Sequence, residues 1–304
     1  MHSAAALDER FGRPGVVRFE PGSGGLARAV VTTRAAEAHV YLSGAQVTHF
    51  QPAGQDDVLF LSPRSRFEAG RAIRGGVPIV FPWFGAKAGD PGAPDHGFAR
   101  TSEWTLESVE ESAEGAVALT LSLEPSAVSR RLWPFEFRLA ARIAIGSALD
   151  VSLAVENRSS TPFTFEEALH TYLRVGDVAE ASITGLEGAS YLDKTDGFKR
   201  KTLGAEPFRP TGETDRVFLD TRTGCAVSDP VLRRRLLVDK RGSATTVVWT
   251  PWRDRAAAMA DLGAEHWPRM LCVETANAAA GAVRLGPGDR HSMEMSVRIA
   301  PLAS

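Results

Sequence analysis

Apolar and polar residues alternate one for one along much of this chain, and that rhythm limits the folds open to it. Val117, Leu119, Leu121 and Leu123 are interleaved with Ala118, Thr120 and Ser122, the two-residue period of a strand with one buried face. The same period runs through Leu149, Val151, Leu153 and Val155, and again through Met293, Met295, Val297 and Ile299. Residues 139–145, 58–61 and 247–249 read as further strands. Turn-forming residues separate these runs: Glu114-Gly115, Gly146-Ser147, Asn157 to Ser160, and Gly286-Pro287-Gly288-Asp289. Long segments with helical period are missing. The best helix candidate is 253–262, entered after Pro251 and stopped by Gly263. Strands at this density, without helices between them, predict an all-β antiparallel sandwich of two large sheets with few short helices, not a parallel α/β fold. No repeat or linker divides the chain, so residues 1–304 are expected to form one domain. Single all-β domains commonly reach about 250 residues.

Charge excludes several classes of partner. The 35 basic and 37 acidic residues leave a net charge of −2, so no global field draws the chain to nucleic acid or an anionic membrane. No run approaches the roughly 20 apolar residues of a membrane span. Asp8, Glu9 and Arg10 stand where a signal peptide would carry its apolar core, so a cytoplasmic protein is expected. Cys225 and Cys272 are too few for a disulfide framework or a thiolate metal site. Only 5 of the 35 basic residues are lysine, so a single arginine is weak support for an anion site.

Five segments interrupt the strand rhythm. In RAIRGGVPIVFPWFG at 71–85, Gly75-Gly76 lets backbone approach a ligand or a neighbouring strand. Pro78 and Pro82 disfavour a central strand, and Arg71 and Arg74 offer an anion site. DHGFAR at 95–100 closes a Gly/Pro-rich surface excursion, where Asp95, His96 and Arg100 either satisfy the turn or line a cleft. His170 lies among apolar neighbours in FEEALHTYLRV at 165–175, a setting that suits a bonded core histidine as well as a catalyst. Asp215-Arg216 in GETDRVF reads as a local salt bridge. Glu274 ends the apolar run of MLCVETANA at 270–278, and a buried carboxylate there must meet an arginine or a ligand. Arg233-Arg234-Arg235 reads as a solvated surface run. The seven histidines show no zinc-ligand spacing, and no GxSxG elbow, Walker loop or dinucleotide fingerprint occurs. A site without metal or cofactor remains, with His170 and Glu274 as its acid/base pair.

Taken in order, R-x-x-R-G-G-V-P-I-V-F-P-W-F-G at 71–85, H-G-F-A-R at 96–100, L-H-T-Y at 169–172, T-D-R-V at 214–217 and V-E-T-A-N at 273–277 resemble the galactose mutarotase-like superfamily. The closer likeness is to its hexose-6-phosphate mutarotase (glucose-6-phosphate 1-epimerase) branch. The resemblance implies a β-supersandwich with a sugar on its concave face, His170 as general acid and Glu274 as general base. It also implies substrate binding by Arg74, Asp95, Arg100 and Asp215. An amide is expected in relatives where this chain has Asp95, whose carboxylate would repel a phosphate or else hold a sugar hydroxyl or pair with Arg100. The implied reaction interconverts the α and β anomers of glucose 6-phosphate and related aldohexose 6-phosphates, with no cofactor, metal, nucleic-acid or membrane partner, in a monomer. The alternatives are an aldose 1-epimerase for unphosphorylated sugars and a non-catalytic sugar-phosphate-binding protein.

Overall fold

In the computed structural model, which describes residues 3–302, the alternating segments pair into two eight-stranded antiparallel sheets. The first runs Ser182–Thr184, Cys225–Asp229, Arg234–Arg241, Arg290–Pro301, Leu149–Asn157, Phe137–Ile145, Val117–Leu123, Thr105–Glu111 from edge to edge. The second runs Lys199–Thr202, Ser190–Asp193, Thr214–Leu219, Thr245–Thr250, Met270–Asn277, Glu167–Leu169, Ile79–Val80, with Tyr172–Arg174 also on Met270–Asn277. A four-stranded sheet from the first fifty residues and a two-stranded ribbon, Phe163–Phe165 with Val283–Leu285, complete the set.

Period-two patterning explains which faces meet. Leu139, Ala141 and Ile143 point inward with Val151, Leu153 and Val155 and with Met293, Met295 and Val297, all 0–2% exposed. Leu169, Leu173, Phe218, Val248, Leu271 and Val273 of the second sheet enter the same core. All eight residues of Met270–Asn277 are buried, because this strand is covered on both faces. Its second face and its neighbours carry two small apolar clusters, one with Val80, Ala168, Val217, Val247 and Ala276, the other with Phe60, Tyr172, Ala256, Leu262 and Cys272.

Several expectations need correction. Residues 58–61 form only isolated bridges, Leu59 to Leu173 and Leu61 to Gly75, because the segment changes partner midway. Arg234, in the run expected to be solvated, is 4% exposed. Strand alternation turns the middle of three adjacent residues inward, and its guanidinium donates to the carbonyls of Asp56 (3.0 Å), Asp57 (2.9 Å) and Arg174 (2.8 Å). The helix expected at 253–262 spans Trp252–Ala258. Two helices carried no signal in the apolar pattern: Ala4–Phe11, whose N-cap Ser3 accepts from the Ala6 amide, and Ala127–Leu132, with a Ser126/Ser129 capping box. The Gly75-Gly76 pair serves close backbone approach rather than a ligand. A Cβ on Gly75 would lie 2.4 Å from the Phe60 carbonyl oxygen, and one on Gly76 2.0 Å from that of Val47.

Candidate active site

Register fixes which side chains share the second sheet's outer face. Glu274 pairs with Val247, and Cys272 pairs with both Trp249 and Tyr172. Asp215 pairs with Trp249. His170 falls midway between Ala168, opposite Ala276, and Tyr172, so it shares the face of Glu274. Residues from segments a hundred positions apart in sequence therefore converge on one patch.

His170 Nε2 lies 3.4 Å from Glu274 Oε1, with side chains 6% and 1% exposed. His170 Nδ1 and Glu274 Oε2 have no hydrogen-bond partner among the described residues, although buried polar atoms are almost always paired. The Tyr172 ring stacks on His170 at 4.7 Å and 11°. Trp249 and His96 stand edge-on to it at 5.9 and 5.5 Å. Burial, reinforced by the charges of Arg100 and Arg74, pushes His170 well below the ordinary histidine value. Burial, reinforced by Asp215, pushes Glu274 well above the ordinary carboxylate value, against the pull of Lys194 and Arg100. Unshifted groups would share one proton only between about pH 4.3 and 6.5. Both shifts favour the uncharged forms of the two side chains over the ion pair.

Two arginines flank the pair on the Tyr172 side. Arg74 donates to the Tyr172 hydroxyl at 2.9 Å and pairs with Asp261 at 3.0 Å. Burial raises the Tyr172 phenol to about 12 despite Arg74, so it stays protonated. Arg100 differs: its Nη2 donates to the backbone carbonyl of Asp95 at 2.8 Å, its buried Nε has no partner, and it forms no ion pair among the described residues. The Asp95 side chain is exposed and lines the same groove as Arg71, Arg100 and Asp261. Asp95 and Arg100 thus meet through a carbonyl, not through the carboxylate. Arg71 is 61% exposed and pairs with Glu68 at 2.9 Å, outside the arginine pair.

On the opposite flank Asp215 pairs with Lys194 at 2.8 Å, not with Arg216, whose guanidinium lies over the Tyr191 and Phe208 rings. Burial raises Asp215 although Lys194 opposes it. Lys194, Asp261, Tyr172, Trp249 and Glu166 drew no role from the sequence. Lys194 had one usable signal, a lysine in a chain with 30 arginines and 5 lysines. Glu166 accepts from the amides of Phe84 (2.8 Å) and Ala279 (2.7 Å), bracing the loop that carries Phe84 against His96 at 4.8 Å. His96, one of the turn candidates, turns inward at φ 64 with its Nδ1 accepting from the Gly85 amide at 3.3 Å. Among the described residues no cluster of His, Cys, Asp or Glu could hold a metal, and both cysteines are free and buried.

The mostly antiparallel β architecture, with few helices, is that of galactose mutarotase-like proteins. The chain belongs to the aldose 1-epimerase family, whose sequence profile matches residues 29–298. A protein of Escherichia coli K12 with the provisional name glucose-6-phosphate 1-epimerase is 38% identical over 240 residues, 78% of this chain and 79% of that one. A similarly named protein of Cenchrus ciliaris is 33% identical over 274 residues, 87% and 82% of the two chains. Among solved structures, a provisionally described mutarotase from Salmonella typhimurium superposes with a TM-score of 0.88 at 31% identity, covering 95% of each chain. A galactose mutarotase related enzyme of Lactobacillus acidophilus, at 13% identity and TM-score 0.73, shares the fold.

Proposed function

We propose that this protein is a hexose-6-phosphate mutarotase, interconverting the α and β anomers of glucose 6-phosphate and related aldohexose 6-phosphates. The observation that carries the reading is the buried His170–Glu274 pair, 3.4 Å apart, with Nδ1 and Oε2 left without partners among the described residues. Relatives with the provisional name glucose-6-phosphate 1-epimerase support it. In the ring-opening step Glu274 takes the proton from the C1 hydroxyl. The C1–O1 bond becomes a carbonyl, the C1–O5 bond breaks, and O5 takes a proton from His170. Rotation about C1–C2 and closure on the other carbonyl face return both protons and give the other anomer. Positioned acid and base groups supply about 10² to 10⁴ in rate.

Arg100 supports the phosphate. Arg100 is half-buried, with its Nε unpartnered and no carboxylate in bonding range among the described residues, and a 6-phosphate between Arg100 and Arg74 would supply the counter-charge that partial burial calls for. The same charge would offset the arginine repulsion that adds to burial in holding His170 down, and so favour a protonated His170. Asp215 binds ring hydroxyls, and Asp95 holds Arg100 through its carbonyl at the groove's rim. We assign one mutarotase domain to residues 1–304, acting as a monomer on a small-molecule substrate. A charged sugar phosphate does not cross membranes unaided, which favours the cytoplasm; no helix among the described residues is long and apolar enough to span one. Anomer exchange of glucose 6-phosphate measured with His170→Asn and Glu274→Gln tests the proposal. Both are expected to lose at least about a hundredfold while unfolding at the wild-type temperature. Full activity in either removes the assigned role.

A further inference from the structure

Lys194 sits in a short turn between Ser190–Asp193 and Lys199–Thr202, at the end of the site-bearing sheet. Its ammonium meets Asp215 at 2.8 Å and lies 5.2 Å from the centre of the Phe84 ring, with the side chain 21% exposed. An ammonium has three donors. Asp215 takes one, and no other acceptor in the described residues takes the others. Asp215 commits Oδ2 to the lysine, and its Oδ1 forms no bond among the described residues. The pair therefore presents two open donors beside an open carboxylate oxygen, on the patch that holds His170 and Glu274. A vicinal diol complements that set, because each hydroxyl can donate to the carboxylate and accept from the ammonium.

The order of strands says which diol. Across the strands, about 4.8 Å apart, the patch carries His170 with Tyr172 beside it along the chain, then Glu274, Trp249, Asp215 and Lys194, and Arg74 bonds Tyr172 at the first end. In a pyranose 6-phosphate the order is phosphate, C6, C5, ring oxygen, C1, C2, C3. With the ring oxygen at His170, the C1 hydroxyl at Glu274 and the phosphate at the arginines, C2 and C3 point toward Asp215 and Lys194. We propose that Lys194, together with Asp215, reads the C2 and C3 hydroxyls of the sugar and sets specificity at those positions. The orientation rests on the mutarotase reading above; the open donor set does not.

The test compares glucose 6-phosphate with 2-deoxyglucose 6-phosphate and 3-deoxyglucose 6-phosphate in wild type, Lys194→Met and Lys194→Arg. Each kcat/KM is divided by the uncatalysed rate of that sugar. Wild type is expected to favour the full sugar by roughly ten- to a hundredfold, the worth of a hydrogen bond to a charged group. Lys194→Met should lower the rate most on glucose 6-phosphate and less on each deoxy sugar, which keeps only one of the two hydroxyl contacts. Lys194→Arg should restore part of the preference. An equal fall on all three sugars would make Lys194 a mere support for Asp215 and overturn the proposal, as would a wild type without preference. Binding of the same sugars, read by tryptophan fluorescence beside Trp249, separates the two claims. A lysine-dependent binding preference without mutarotation would remove the proposed reaction and keep the diol contact. No binding of any of them removes both.

Discussion

Replacing Arg100 with methionine separates binding from folding. The guanidinium makes one hydrogen bond, to the Asp95 carbonyl at 2.8 Å, and leaves its buried Nε without a partner. Losing that bond costs about 1 kcal/mol, and removing a desolvated, unpaired cation offsets a similar amount. Stability is thus expected to stay within about 1 kcal/mol, a shift of no more than about 4 °C in Tm. With glucose 6-phosphate the variant loses a charge-assisted contact worth about 1.5–3 kcal/mol, so kcat/KM falls roughly 10- to 150-fold at about 1.4 kcal/mol per tenfold. With glucose no such contact exists, and kcat/KM should hold within about threefold by the same arithmetic. The assay is anomer exchange on both sugars with thermal unfolding alongside. Equal losses on both sugars would refute the phosphate contact. A drop in Tm above about 10 °C would show that Arg100 is a structural residue after all.

Arg234→Met inverts this pattern. It strands three backbone carbonyls, so about 3–5 kcal/mol of stability is lost, as when one partner of a buried charged contact is removed, and surviving folded protein keeps its KM; urea titration checks it. The shifts at His170 and Glu274 predict a kcat/KM profile without a limb at the ordinary histidine value of about 6.5. A sharp fall there would place the proton elsewhere. His291, raised chiefly by its hydrogen bond to buried Glu167 at 2.9 Å, stabilises the fold fully below about pH 6.5 and loses that contribution as pH rises through its elevated folded value. The drop in Tm across that range should shrink in His291→Gln, leaving the part that His49, raised against burial by Asp57 at 2.6 Å, contributes with the same sign.

The sandwich was legible because its strands are half-buried, and a half-buried strand writes its face into the sequence. The runs at 117–123, 149–155 and 293–299 all lie within strands of the first sheet. Met270–Asn277 shows the limit: buried on both faces, it reads only as an apolar run ending in Glu274. The candidate pair was legible from motifs, but its surroundings were not. Asp261 reaches Arg74 across 187 positions, and nothing local in the sequence marks a contact of that span. Lys194 and Asp215 meet because neighbouring strands place them side by side, while Arg216, next in sequence, points the other way. Residues 58–61 look like any apolar strand; that they change partner is a property of the sheets around them.

The central claim is acid/base anomer exchange on a phosphorylated sugar by His170 and Glu274. Magnetisation-transfer NMR on glucose 6-phosphate and glucose, with wild type and Glu274→Gln side by side, tests it most directly. The account predicts much faster exchange of the α and β signals of glucose 6-phosphate than of glucose, abolished in the folded variant. Exchange of both sugars at equal rates, or exchange that survives the substitution, would contradict it.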